Sequence, residues 1–162
     1  MNLLIIFTAK YLFLASILIF VGFFLTLPRA VKKRFFVFTL ASGLLAYSFA
    51  KILGAVFNDP RPFVSERIIP LVSHAADNGF PSDHTLLTMT LAAVVFVYNR
   101  RLGLALAGLS LVIGYSRVLA GIHHLIDIVG AIGIAVTAVV LVGFLISRIR
   151  VFGSSSLLRD KP

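Results

Sequence analysis

Two histidines and a carboxylate stand at spacings that suit phosphoryl transfer. His123 and Asp127 are four residues apart. On one helix they share a face, where the carboxylate can fix the imidazole tautomer and stabilise its charged form. His84 follows the step Pro81-Ser82-Asp83, a start signal for a helix with Ser82 as N-cap. Imidazoles titrate near neutrality and can act as nucleophile and general acid. Lys51, Arg61 and Arg117 add three cations without a matching set of carboxylates beside them. Such a set suits a polyanion. Arg grips phosphate through two N–H groups, Lys acts as a point charge, and a helix start at Ser82 offers free backbone N–H groups. No carboxylate cluster suggests Mg²⁺, no His/Cys set suggests zinc, and the chain has no cysteine at all. The reading is therefore metal-free phosphoryl transfer with no cofactor. The catalytic candidates are His123, His84 and Asp127. The phosphate-binding candidates are Lys51, Arg61, Ser82, Asp83 and Arg117.

These residues need elements to bring them together, and the composition says which kind. Of 162 residues, 59% are hydrophobic and only 13% charged. A soluble domain is about half apolar and about a quarter charged. A soluble core, a disordered chain and a disulfide scaffold are all excluded, which leaves an all-α, polytopic membrane helix bundle. Five apolar stretches stand out: about Tyr11–Leu27, Phe35–Phe57, Ser82–Tyr98, Leu102–Leu119 and Leu125–Ser147. The first lacks a basic leader and a good cleavage site, so an uncleaved helix is expected. Residues 1–150 form one transmembrane domain, and 151–162 form a flexible cytoplasmic tail. The loop 58–80 has room for a short interfacial helix within 63–76.

The net charge of +9 is a topology signal rather than a nucleic-acid footprint. Segment 28–34, Arg100-Arg101 and the C-terminal tail hold 10 of the 15 basic residues. If all five stretches span, these segments share one side, which the positive-inside rule makes cytoplasmic. The opposite side carries five of the six acids and the ends of the stretches that hold Lys51, Arg61, Ser82, His84, Arg117, His123 and Asp127. The expected location is the cell membrane, with the site on the extracytoplasmic face. The expected partners are membrane lipids, with no nucleic acid. The sequence leaves the oligomeric state open.

Ser116-Arg117-x5-His123-x3-Asp127 resembles the third signature of the type 2 phosphatidic acid phosphatase (PAP2) superfamily. Pro81-Ser82-Asp83-His84 resembles its second, usually Pro-Ser-Gly-His, and Lys51…Arg61-Pro62 its first. The resemblance implies that His123 attacks phosphorus, Asp127 orients it and His84 protonates the leaving oxygen. It implies that Lys51, Arg61, Ser82 and Arg117 hold the phosphoryl oxygens. Two positions depart from the pattern. Nine residues separate Lys51 from Arg61 where the family has six, so that Gly54 stands at the family's lysine position. Asp83 replaces a glycine, and a carboxylate beside a phosphate needs a cation or a head group to balance it. The runs Asn58-Asp59-Pro60-Arg61-Pro62-Phe63 and Phe80-Pro81-Ser82-Asp83-His84-Thr85 resemble the bacitracin-resistance type of undecaprenyl-diphosphate phosphatase. That resemblance implies conversion of undecaprenyl diphosphate to undecaprenyl phosphate and phosphate. Phosphatidylglycerophosphate or phosphatidate are rival substrates. A small transporter or a membrane-structural protein is the rival class. His124 is expected to be structural, and His74, Asp77 and Asn78 to lie in an exposed outer loop.

Overall fold

The computed structural model describes the backbone of residues 1–156 and the side chains of residues 1–148. The described residues form six helices and no strand: α1 (Asn2–Thr26), α2 (Arg29–Val56), α3 (Pro62–Ser65), α4 (Asp83–Tyr98), α5 (Arg100–Leu119) and α6 (Leu125–Ser156). Four of them, α1, α2, α5 and α6, are long and apolar enough to cross a bilayer. At 16 residues, α4 is about 24 Å long, shorter than the other four. The fold is thus the expected helix bundle, with the third of the five apolar stretches short.

Burial explains why α4 can be short. It packs against α1, α2, α5 and α6, and Thr85, Leu86, Thr88, Met89, Thr90, Leu91, Ala92, Val94 and Val95 are all buried. It is the axis of the bundle. By contrast, α1 buries only Ala9 and Ser16, and Leu3, Leu4, Leu18 and Leu25 stand exposed. Large apolar side chains are likewise exposed along α2, α5 and α6, including Leu44, Leu104, Val112 and Val140. So broad an apolar surface suits lipid, where helices satisfy every backbone polar group internally.

Between the apolar faces, α4 and α5 meet through the hydroxyls of Thr88 and Ser110, 2.7 Å apart. Gly103 also brings α5 onto the backbone of Phe96, where a Cβ would collide. Small residues allow this kind of close helix approach in lipid.

The connections at one end are minimal. Leu27-Pro28 joins α1 to α2, and Asn99 alone joins α4 to α5, its side chain accepting from the Leu102 N–H at 3.1 Å. Arg29, Lys32, Lys33 and Arg34 thus lie in the first turns of α2 rather than in a loop, with Lys32 Nζ donating to the Leu25 carbonyl at 3.0 Å. Cations at a helix N-terminus oppose its dipole, so local helix preference does not account for them. At the other end, the expected interfacial helix is a single turn, α3, begun by Pro62 at its first position. The last helix continues past Ser147 to Ser156, so residues 151–156 of the expected tail extend α6. Residues 157–162 lie outside the described residues.

Candidate active site

The long loop and the turn at 120–124 close over one end of the bundle. Leu71 N–H donates to the Ala120 carbonyl at 2.9 Å, and Ser82 N–H donates to the Asp127 carbonyl at 3.2 Å. Gly121 turns the chain out of α5 with φ +72°, a left-handed conformation that glycine adopts without strain. That turn sets His123 above the start of α6 and places Asp127 one turn along.

His123 is the centre of the arrangement. Its Nδ1 lies 3.0 Å from Asp127 Oδ2. Its Nε2 lies 3.1 Å from Arg61 Nη1 and 3.4 Å from Arg117 Nη2. His123 is 2% exposed and Asp127 fully buried. Burial, then the charges of Arg117 and Arg61, holds the His123 imidazole below its ordinary pKa, so the ring is neutral. Guanidinium groups only donate, so Nε2 carries the lone pair and Nδ1 the proton. The nitrogen aimed at the two arginines is therefore the one with the free lone pair.

Each arginine is braced from behind. Arg61 donates through Nε to Asp77 Oδ1 at 2.7 Å and through Nη1 to the Ile122 carbonyl at 2.8 Å. Arg117 donates through Nη1 to the Ala9 carbonyl at 3.0 Å, which ties α1 to the site. Its Nη2 lies 3.5 Å from His74 Nε2, while its Nε is buried without a partner among the described residues. An N–H group left in this way is available to an oxygen of a bound anion.

Ser82 is the N-cap of α4, as expected, but its side chain caps no backbone N–H. Its hydroxyl accepts from Thr85 Oγ1 at 3.2 Å instead. The first backbone N–H groups of α4 thus stay free of side-chain capping. His84 packs edge-on against Phe13 of α1, with ring centroids 4.6 Å apart. It lies within electrostatic reach of Arg117, His123 and His74.

The structure therefore gathers His123, Asp127, Arg61, Arg117, Ser82 and His84. It leaves Lys51 aside, while Asp83, exposed at the start of α4, lies within electrostatic reach of Arg117 and His123. Lys51 is exposed, with Nζ 5.1 Å from the Tyr47 ring centroid. It lines an open groove between α2 and α4 with Gly43, Tyr47, Leu87 and the exposed Asp83. Gly54, the position where the family pattern has lysine, faces the chain entering α4. A Cβ there would be 2.9 Å from the Phe80 carbonyl oxygen. The Gly54 carbonyl itself accepts from Asn78 Nδ2 at 2.7 Å. A lysine at this position has no room.

Sequence reasoning missed the support around Asp127. Asp59 and Gly79 have no role in the sequence reading and Asn78 stands there in the outer loop, yet all three pack together beside Asp127. Asp59 N–H donates to Asn78 Oδ1 at 2.9 Å, and Gly79 N–H donates to the Asp59 carbonyl at 2.8 Å. A Cβ on Gly79 would stand 2.9 Å from Asp127 Oδ2. The Asn-Asp-Pro run before Arg61 was the available signal. Asp77, expected in an exposed loop, is the anchor of Arg61, whose charge holds its carboxyl below the usual range against the opposing effect of burial. His124 points away from the site as expected and contacts Asp59 and Glu66. Asp59, His124 and Asp127 also offer three potential metal-ligand atoms within 4.8 Å of one another. The contacts of His124 with Asp59 and Asp127, at 2.9 and 3.0 Å, have hydrogen-bond lengths.

The fold and site define a multi-pass membrane protein with a buried imidazole–carboxylate pair facing two fixed guanidiniums. The model of the PAP2 superfamily matches residues 32–149, and the chain belongs to that superfamily of phosphatases. It is 29% identical over 143 residues to undecaprenyl-diphosphatase BcrC of Bacillus subtilis (strain 168), covering 88% of this chain and 72% of that protein. It is 29% identical over 130 residues to the bacitracin transport permease protein BcrC of Bacillus licheniformis, covering 79% of this chain and 63% of the relative. The crystal structure of Aquifex aeolicus LpxE superposes with a TM-score of 0.70 at 23% identity, covering 86% of this chain and 85% of the other. That likeness confirms the fold.

Proposed function

We propose that this phosphatase hydrolyses undecaprenyl diphosphate to undecaprenyl phosphate and phosphate through a phosphohistidine on His123. The observation that carries the reading is the position of His123 Nε2, unprotonated and 3.1 and 3.4 Å from two guanidiniums. A phosphate that displaces these contacts meets the lone pair while both arginines turn to its oxygens. Attack forms the Nε2–P bond and breaks the bond from phosphorus to the bridging oxygen. His84 gives that oxygen its proton. The same ring then takes a proton from the water that cleaves the phosphohistidine. Asp127 holds Nδ1 throughout and balances the positive charge the ring acquires. Ser82 and the start of α4 complete the oxygen ligands.

The choice of lipid rests on the BcrC relatives and on charge. The end of the bundle opposite the site carries Arg29, Lys32, Lys33, Arg34, Arg100 and Arg101. That pattern favours an outward-facing site. No metal takes part in this reading. The name of the Bacillus licheniformis relative, a transport permease protein, supports a second reading, transport.

Phosphate release from a panel of lipid phosphates by wild type and His123→Ala separates the possibilities. We expect the fastest release from the polyprenyl diphosphate and a loss of about 10³-fold or more in the variant. Preference for a glycerol lipid would demote the polyprenyl choice. No release from any lipid phosphate would sink the phosphatase reading and favour transport.

A further inference from the structure

A second imidazole–carboxylate pair stands behind the first. His124 Nδ1 is 2.9 Å from Asp59 Oδ2, and His124 Nε2 is 3.4 Å from Glu66 Oε1. Asp127 Oδ2 receives both the His123 ring and the His124 backbone N–H, each at 3.0 Å. Asp127 Oδ1 is buried and has no partner among the described residues. An oxygen of Asp59 lies within 4.8 Å of one of Asp127. Two ionised carboxylates can only accept, and side by side they repel. One donor is missing from this network.

We propose that Asp59 is a positioning residue that keeps a proton and shares it with Asp127 Oδ1. Both oxygens of Asp127 then have donors. His124 Nδ1–H donates to Asp59 Oδ2, and the other Asp59 oxygen donates its proton to Asp127 Oδ1. The His123 and His124 N–H groups fill Asp127 Oδ2. Asp127 keeps one negative charge and one orientation, which is what His123 needs as it becomes cationic on bonding phosphorus. The titratable groups facing Asp59 are His124 and Asp127, with Glu66 beyond His124 and Arg61 two residues along the chain. Burial and the Asp127 charge raise the Asp59 carboxyl above its ordinary range, although the His124 bond opposes them. The main chain fixes Asp59 through Asn78 and Gly79.

The role rests on His123 as the nucleophile, while the shared proton itself can be read without turnover. The full-length protein, its Asp59→Ala and its Asp59→Asn variants are compared on the panel lipid that wild type cleaves fastest. Asp59→Ala should lower kcat by about tenfold to a hundredfold with KM nearly constant. Asp59→Asn restores an N–H donor and a C=O acceptor and should recover most of that loss. Infrared spectra should show a protonated-carboxyl C=O band in wild type that disappears in Asp59→Asn. If Asp59→Ala does not fold, the band and the asparagine variant decide.

Equal loss in both variants, no loss in the alanine variant, or no such band would overturn the proposal. So would wild-type activity that EDTA removes and Zn²⁺ restores, since a cation rather than a proton would then bridge the carboxylates. If wild type cleaves no lipid phosphate, the functional reading fails while the infrared band still tests the shared proton.

Discussion

Arg61 Nη1 lies 3.1 Å from His123 Nε2, although the two residues are 62 positions apart in the chain. The contact joins the turn before α6 to the loop after α2 at the nitrogen that the proposed mechanism uses to attack phosphorus. The same guanidinium nitrogen also holds the Ile122 carbonyl, and its Nε holds Asp77. In the proposed mechanism Arg61 is therefore both an oxygen ligand and a brace for the loop that carries His123.

This double duty predicts that Arg61→Lys will not be conservative. An ammonium cannot span Asp77, the Ile122 carbonyl and a phosphate at once. We expect kcat/KM to fall by about a hundredfold or more, with a lower melting temperature in detergent. Near-wild-type phosphate release by Arg61→Lys would show that the fork geometry is dispensable.

Lys51 should behave differently. It is exposed and rests on Tyr47 rather than on the arginine cluster. Lys51→Ala should reduce kcat/KM by less than about tenfold. A hundredfold loss would place its ammonium on the phosphate and revise the site as drawn.

Acid should destabilise the fold through one buried ring and one half-buried ring. Burial, then the charges of Arg117 and Arg61, lowers the His123 pKa, and burial with Arg61 and Arg117 lowers that of His74. Below about pH 6.5 the unfolded chain binds more protons on these two rings than the folded chain does. Their contribution to stability is thus intact above that pH and shrinks as pH falls. The melting temperature in detergent should drop between about pH 7.5 and pH 5.5. A melting temperature that rises over this interval would contradict the weakened proton affinity of both rings in the folded state.

Chelation tests the absence of metal chemistry. The proposed route uses only imidazole, carboxylate and guanidinium groups, so excess EDTA should leave the initial rate unchanged. Loss of activity restored by Mg²⁺ would put a cation in the mechanism, and Asp59, His124 and Asp127 would be the first ligands to examine.

The helices, the membrane setting and most of the site were legible from residue types and spacing. Long apolar runs have few alternatives in water or lipid, and the i,i+4 pair His123–Asp127 is a local relationship that helical geometry imposes. Nothing local shows that Gly54 is sealed by Phe80 and that Lys51 is left outside. Nothing local shows that Asp77 rather than a loop neighbour holds Arg61, or that Asp59 backs Asp127 across 68 residues of chain. Those are contacts between segments whose meeting depends on how α2, the long loop and α6 pack. Sequence periodicity reports which face of an element is apolar. Only tertiary packing decides which polar side chains at the ends of those elements fall within hydrogen-bond distance.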